Sequence, residues 1–371
     1  MTVYYWQIAL LLISAVLSKL TKNPKKTICI LSFFILAVVI GFRDPIGGFN
    51  GDNLRYYLRY YKLGESPISA CYEMRNGQNI LFFFLQWLFA HLGIHYIIFN
   101  ISVAIFSVGI TSWFIYKYSD NPFISFFIYL GLLVYPLSFY LVKQAIAISI
   151  TLLAFDSCRK NHRVRGLILC LIAALIHDAA IVFLVVIFAD KIIRFSKINL
   201  MLIAILGIIV FLYRIQIGQF IMLLFKEEYI GAYTSRVQLG GLALILLAFF
   251  AFYILSIDTK SLRNVYTDES KLSATYEHSL FSIGAIALFI QILASYAYAY
   301  TRLNLFYLQF YMIIFPHSVV QRRWKRSFRN FYPIFCLTVY SAVIVLMCVL
   351  YFGTQRPYDT EYRFFWQSNI W

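Results

Sequence analysis

Apolar runs of 15 to 24 residues follow one another along the whole chain, separated by short polar interruptions. About 20 residues cross a hydrocarbon core as a helix, so runs of this length predict membrane spans. Those at 3–19, 27–42, 94–116, 123–140, 141–155, 200–214, 240–257, 277–300, 303–319 and 331–352 predict about ten transmembrane helices. Two further stretches fit this scheme badly. Residues 79–93 are crowded with aromatics and run straight into the next apolar segment, and residues 166–189 carry His177 and Asp178 at their middle with basic loops on both sides. The expected architecture is all-α: one polytopic membrane domain over 1–371, with a polar loop at 43–78.

Composition sharpens this. With 61% hydrophobic and 13% charged residues, the chain lies far from a soluble domain, which carries about 25% charged residues. No extramembrane catalytic domain fits in the remainder. A formal charge of +16 would indicate a nucleic-acid binder in a soluble chain. In a membrane protein it is first a statement about orientation, because Lys and Arg are retained in the cytoplasm, and no nucleic-acid partner is expected. The first apolar run ends in Lys19, Lys22, Lys25 and Lys26 and lacks a small-residue cleavage site, so it reads as a retained span. If those lysines are inside, and 79–93 lies at the outer surface or dips in and returns, the loops 117–122, 156–165, 190–199, 258–277 and 320–330 are inside too. That side then holds 20 of the 32 basic residues. The scheme requires 166–189 to enter and leave from one side as a re-entrant hairpin with His177 near its tip; the competing reading is one ordinary helix and a weaker charge rule. Four of the six cysteines lie in apolar runs, and no disulfide or C-x-x-C framework is implied.

This topology gathers the unusual polar residues on the outer side. The loop GFRDPIGGFNGDNLRYYLRYYKLGESPISACYEMRNGQN combines glycines at 41, 47, 48 and 51 with Arg43, Arg55, Arg59 and Arg75, a pattern suited to phosphate. Asp44, Asp52, Glu65 and Glu73 balance these charges, and ion pairs that shape the loop are an equally good account of any one of them. Tyr56, Tyr57, Tyr60 and Tyr61 form two doublets, and Tyr296, Tyr298 and Tyr300 precede Arg302. Such rings stack on sugars, although an interfacial belt explains each tyrosine taken singly. Lys143 and His177 with Asp178 sit within or at the edge of apolar runs, where ionisable groups are expensive and mark function. His177 is placed to take a proton from a hydroxyl, or else packs helices. His91 and His95 lack further ligands, so no metal is expected; His162, His278 and His317 read as interfacial residues near the cytoplasmic side. No phosphate-binding loop, G-x-S-x-G or H-E-x-x-H motif occurs.

The order GFRD…NGD..RYY..YY, YEMRNGQNILFFFLQW, KQAIAISITLLAF, AALIHDAAIVFL and YTRLNLFYLQFYMIIFP resembles the EpsG and Wzy-type polysaccharide polymerases of bacterial inner membranes, from about residue 40 to 316. In that family the first motif reads R-x-x-x-G-x-D-x-x-x-Y, and Arg43, Asp52 and Tyr56 stand in its roles, with residues inserted before Asp52. The acid that follows is Glu73. The R-Q-x-[IL]-A motif appears as Lys143, Gln144, Ala145, Ile146 and Ala147, a lysine replacing arginine, which keeps the charge and loses the two-pronged donor. The family histidine matches His177, and the late arginine matches Arg302, with Asn304 beside it.

The resemblance implies a metal-independent, cofactor-free glycosyltransferase of the inner membrane that joins polyprenyl-diphosphate-linked oligosaccharides into O-antigen or a related surface polysaccharide on the periplasmic face. The lipid-linked oligosaccharide is then both donor and acceptor, and a chain-length-regulating membrane protein is an expected partner. Arg43, Arg55 and Arg302 are assigned to the diphosphate, Asp52 and Glu73 to sugar hydroxyls or to orienting the arginines, and His177 to general base, with Tyr56, Lys143, Gln144 and Asn304 as further substrate contacts. A lipid-linked oligosaccharide flippase is the main rival, with charges along a path through both leaflets and two related halves. An O-antigen ligase or a membrane acyltransferase with one buried histidine are others, and a non-enzymatic scaffold gives no reason to bury Lys143 and His177.

Overall fold

The computed structural model describes residues 2–46, 51–73, 78–188, 194–225, 241–257, 268–355 and 362–367. The chain divides into two compact units, Met1–Ile181 with Tyr340–Trp371, and Val182–Val339.

In the first unit α1 (Thr2–Lys19) and α2 (Pro24–Gly41) form a hairpin. Asn23 starts α2: its side chain accepts the Lys26 N–H at 3.1 Å, and Pro24 fills the first helical position, where no N–H is needed. Beyond α3 (Gly51–Glu65), α4 (Ala70–Glu73) and α5 (Ile80–His91) comes α6 (Tyr96–Tyr118), which lies along α2. The two approach closely at Gly41, where a Cβ would sit 3.1 Å from the Ile101 Cα. There Asn100 donates to the carbonyls of Ile40 and Gly41 at 3.1 and 3.0 Å, satisfying groups that the end of α2 leaves open. Lys25 lies 5.8 Å from the Tyr116 ring at the far end, so α2 and α6 run antiparallel. Next come α7 (Pro122–Gly131), α8 (Val134–Ser138), α9 (Val142–Arg159) and α10 (Arg163–Ile176). α9 runs parallel to α6, with Ser149 bonded to the Ser107 carbonyl at 3.4 Å and Lys117 paired with Asp156 lower down. α10 turns back along α9 after Asn161, whose φ of 62° closes the hairpin.

These contacts fix which helix ends share a level. The C-terminus of α2, the N-termini of α6 and α9 and the C-terminus of α10 lie at one end of the unit. Lys25, Lys117, Lys160 and the 160–165 turn lie at the other.

After α10 comes a 3-10 helix, Asp178–Phe188, and in the second unit α11 (Lys197–Leu212), α12 (Arg214–Phe225), α13 (Gly241–Ser256), α14 (Asp268–Ala294), α15 (Tyr298–Leu308), α16 (Tyr311–Val319) and α17 (Arg322–Ser327). The last long helix, α18 (Tyr332–Gln355), supplies its C-terminal part to the first unit, where Met347 packs on Gly131 and Tyr351 bonds to Gln7.

The all-α expectation holds for the described residues, whose one extended pairing is an isolated bridge between Arg43 and Phe364. The expected count of about ten spans is not reached among the described residues. Four described helices are long and apolar enough to cross a membrane, or six if each of two bent pairs is one span. The apolar runs are present, but several are broken. The run 123–140 divides at Leu133, which takes a left-handed φ of 68°, into α7 and α8. α11 and α12 meet at 82°, and α15 continues beyond its break at 52°. α5, of 12 residues, reaches about 18 Å, short of a hydrocarbon core of about 30 Å. The run 166–189 is likewise not one helix: α10 ends at Ile176 and His177 is extended, with φ −148° and ψ 110°.

Candidate functional site

Arg43 follows α2 and is fixed by its backbone. The bridge to Phe364 is flanked by hydrogen bonds from the Asp44 N–H to the Arg363 carbonyl at 2.9 Å and from the Phe365 N–H to the Phe42 carbonyl at 3.0 Å. Its side chain is 2% exposed. The guanidinium carbon lies 5.0, 4.7 and 5.8 Å from the ring centroids of Phe139, Tyr140 and Tyr362. Buried charges are normally paired or neutralised, and arginine does not neutralise. Here the charge is met by ring faces, while Nε and Nη1 have no hydrogen-bond partner among the described residues.

Tyr140 links this cage to the second candidate group. It stands three residues before Lys143, and Lys143 and Gln144 occupy the first turn of α9, buried at 7% and 2% exposure. The first two motifs therefore meet at one end of the first unit.

α3 leans over the same end. Asn53 is hydrogen-bonded to Tyr96 at the start of α6, and the Tyr60 hydroxyl donates to the Ile94 carbonyl at 2.9 Å. Burial raises the Tyr57 phenol pKa, with Tyr61 and the Asp44 carboxylate adding to the effect, so α3 and the residue after Arg43 are within electrostatic reach. The doublets divide by helical face. Tyr56, packed edge-on against Phe82 with ring centroids 4.8 Å apart, and Tyr60 point inward, whereas Tyr61 is exposed. Arg55 is 72% exposed and lies 3.9 Å from Asp52, one turn away on α3. Glu73 ends the short α4 and is exposed. Gly47, Gly48, Arg75, most of the loop 215–239 and residues 356–361 lie outside the described residues.

His177 terminates α10, so the antiparallel α9–α10 hairpin brings it up to the level of Lys143. The helix break turns neighbours in sequence toward one another: His177 Nδ1 lies 3.3 Å from Asp178 Oδ1, a pairing that consecutive positions of a continuous helix do not make. The Asp178 N–H donates to Asn79 Oδ1 at 3.0 Å. Asn79, before α5, takes a φ of 57° and is 3% exposed, and its Nδ2 has no hydrogen-bond partner among the described residues. Sequence reasoning passed over Asn79, since a lone asparagine before an apolar run reads as a helix start.

Arg302 and Asn304 belong to the second unit. Arg302 lies 5.6 Å from the Tyr298 ring. Asn304 is fully buried, and its amide donates to the Ala287 carbonyl and to Gln291 Oε1 at 2.9 Å each, tying α15 to α14. A further polar cluster of this unit escaped the sequence reading. Glu277, at the end of the polar stretch 258–277, receives the Tyr253 hydroxyl at 2.8 Å and Gln321 at 3.0 Å. His317, taken for an interfacial residue, lies 2.6 Å from the same carboxylate. A lone acid at the margin of an apolar run was its only signal.

No curated protein and no solved structure matches the chain. Residues 2–359 match the EpsG family, and with that match over nearly the whole chain the protein belongs to the EpsG family.

Proposed function

We propose that the protein is a polymerase joining polyprenyl-diphosphate-linked oligosaccharide repeat units into a bacterial surface polysaccharide, O-antigen or a relative of it, at the periplasmic face of the inner membrane. Membership of the EpsG family supports a polysaccharide-polymerase role. The observation that carries the reading further is Arg43, a buried cation whose Nε and Nη1 have no partner among the described residues, at the end of the first unit that also holds Lys143, Gln144 and His177.

The chemistry asks for those groups. Attack of a sugar hydroxyl on the anomeric carbon breaks the bond to the diphosphate oxygen, and negative charge grows on the departing lipid diphosphate. Preorganised cations stabilise that charge most where water is excluded. Arg43 supplies a flat, two-pronged donor and Lys143 a point charge. His177 accepts the proton of the attacking hydroxyl, with Asp178 stabilising the imidazolium. Asp52 and Glu73 bind sugar hydroxyls or orient the arginines, Arg55 sits nearer solvent, and Arg302 and Asn304 are separate substrate-contact candidates on the second unit. We infer a polytopic topology of about ten crossings in which several are built from the broken helices.

A deletion strain analysed by lipopolysaccharide gel tests the reading. Loss of the ladder with core plus one repeat retained is the expected result. Loss of every repeat from the core points instead to a flippase or ligase, and an unchanged ladder sinks all three.

A further inference from the structure

The EpsG match ends at residue 359, yet the Arg43 cage is completed by Tyr362. Four contacts hold that residue and its neighbours in register. The Tyr362 hydroxyl donates to the Val39 carbonyl at 2.7 Å near the end of α2. The Arg43–Phe364 bridge and its two flanking hydrogen bonds set the backbone. Phe42 stacks on Phe365 at 5.9 Å. Tyr4, from the first turn of α1, packs edge-on against Tyr362 at 6.0 Å.

The geometry explains how a buried arginine remains a donor. A guanidinium has two faces and one edge: rings take the faces by cation–π contact, and the N–H groups lie in the plane of the edge. Three rings hold Arg43, and none competes for Nε or Nη1, which have no hydrogen-bond partner among the described residues. A carboxylate in Tyr362's place would have neutralised the charge and consumed those donors. Charge and ring are felt mutually: burial pushes the Tyr362 phenol up, and Arg43 pulls it the other way.

We infer that Tyr362 is a positioning residue for Arg43, and that the segment Tyr362–Gln367 completes the diphosphate site by holding the guanidinium with its edge turned toward the anion. The inference rests on the reading of Arg43 as a diphosphate ligand. Its mechanism is preorganisation: without the ring the guanidinium must be ordered at the moment of binding, and affinity falls. Tyr362 touches neither the sugar nor the lipid.

The test is binding of farnesyl diphosphate, a short lipid diphosphate, to the full-length protein purified in detergent. Arg43→Ala, Tyr362→Phe, Tyr362→Leu and Tyr362→Ala are compared with the unaltered chain, and the melting temperature of each is measured. Arg43→Ala is expected to lose binding. Tyr362→Phe, which keeps the ring and gives up only the hydroxyl tether, should bind within about threefold of the parent. Tyr362→Leu and Tyr362→Ala should each weaken binding by about tenfold, the scale of a desolvated cation–π contact. Leucine is the decisive variant because it fills space without a π face, so a merely structural role is rescued by Leu as well as by Phe. If Tyr362→Leu binds like the parent while Arg43→Ala does not, the positioning role is overturned and the Arg43 reading stands. If Arg43→Ala binds like the parent, the diphosphate reading of Arg43 fails, and the role of Tyr362 with it.

Discussion

His177 and Glu277 are both ionisable groups within or beside apolar helices, and their surroundings assign them different work. His177 sits at a helix break with Asp178 beside its Nδ1, so a proton taken up by the imidazole is faced by a carboxylate. His177→Gln keeps size and hydrogen bonding but has no basic nitrogen. The purified variant should polymerise lipid-linked repeats ~100 to 10,000-fold more slowly, the usual loss for a general base, and a near-parental rate removes His177 from the chemistry. Glu277 has its carboxylate oxygens occupied by His317, Tyr253 and Gln321, an arrangement that braces α14 against α13 and α16. Removing one partner of such a partly buried set strands the rest, at a cost of about 1–3 kcal/mol. Glu277→Ala should therefore melt well below the parent in detergent, and Glu277→Gln, which keeps an acceptor, should fall less. Of the candidate site, the charges were legible because an arginine, lysine or histidine in an apolar run is conspicuous. Tyr362 was not: one of 29 tyrosines, it acquires meaning only through Arg43, more than 300 residues earlier in the chain.

At the scale of elements, apolar runs predicted where helices lie and misjudged how long they stay unbroken. Hydrophobicity measures preference for the membrane, and a break inside it is set by packing. Leu133 in a left-handed conformation is costly for a residue with a bulky side chain, and nothing in FFIYLGLLVYPLSF forces it, although Pro136 soon after removes an N–H from any continuous ladder. Interhelical spacing was equally hidden. Gly64 on α3 faces Ala90 on α5 so closely that an added Cβ would meet the Ala90 Cβ at 2.6 Å and its carbonyl carbon at 2.8 Å. The second of these atoms is backbone, which moves only with the helix. Gly64→Val should push α3 away from α5 and destabilise the protein by about 1–3 kcal/mol, as overpacking does. Thermal denaturation in detergent checks this, and a melting temperature equal to the parent's removes the close approach.

For the whole molecule, the distribution of charge makes the clearest demand. Within the first unit, Lys25, Lys117, Lys160 and the 160–165 turn lie at the end opposite Arg43 and Lys143, the separation expected if the basic end is cytoplasmic. The same rule, applied to QRRWKRSFRN before the last span, puts 320–330 inside and the chain after Gly353 outside. Reporter fusions after Arg329 and after Gly353 should give cytoplasmic and periplasmic signals respectively. A periplasmic signal after Arg329 inverts the orientation and moves the proposed site to the wrong side of the membrane for lipid-linked repeats. The orientation is an expectation drawn from lysines and arginines alone, because the rule reads loops and needs no tertiary structure.

The pairing of residues 42–44 with 363–365 also bears on the order in which the protein comes into being. Arg43 leaves the ribosome early and its Tyr362 ring much later, on the order of 15 to 60 s at ordinary bacterial elongation speeds. During that interval the guanidinium has water where its third ring will stand, and the nascent helices insert around a hydrated cation. Such a site is complete only after nearly every other segment has been made, so a chain released shortly before Tyr362 would insert with a loosened arginine. Ribosome stalling or nonsense mutations late in the gene would then be felt as weak lipid-diphosphate binding before they are felt as failure to insert.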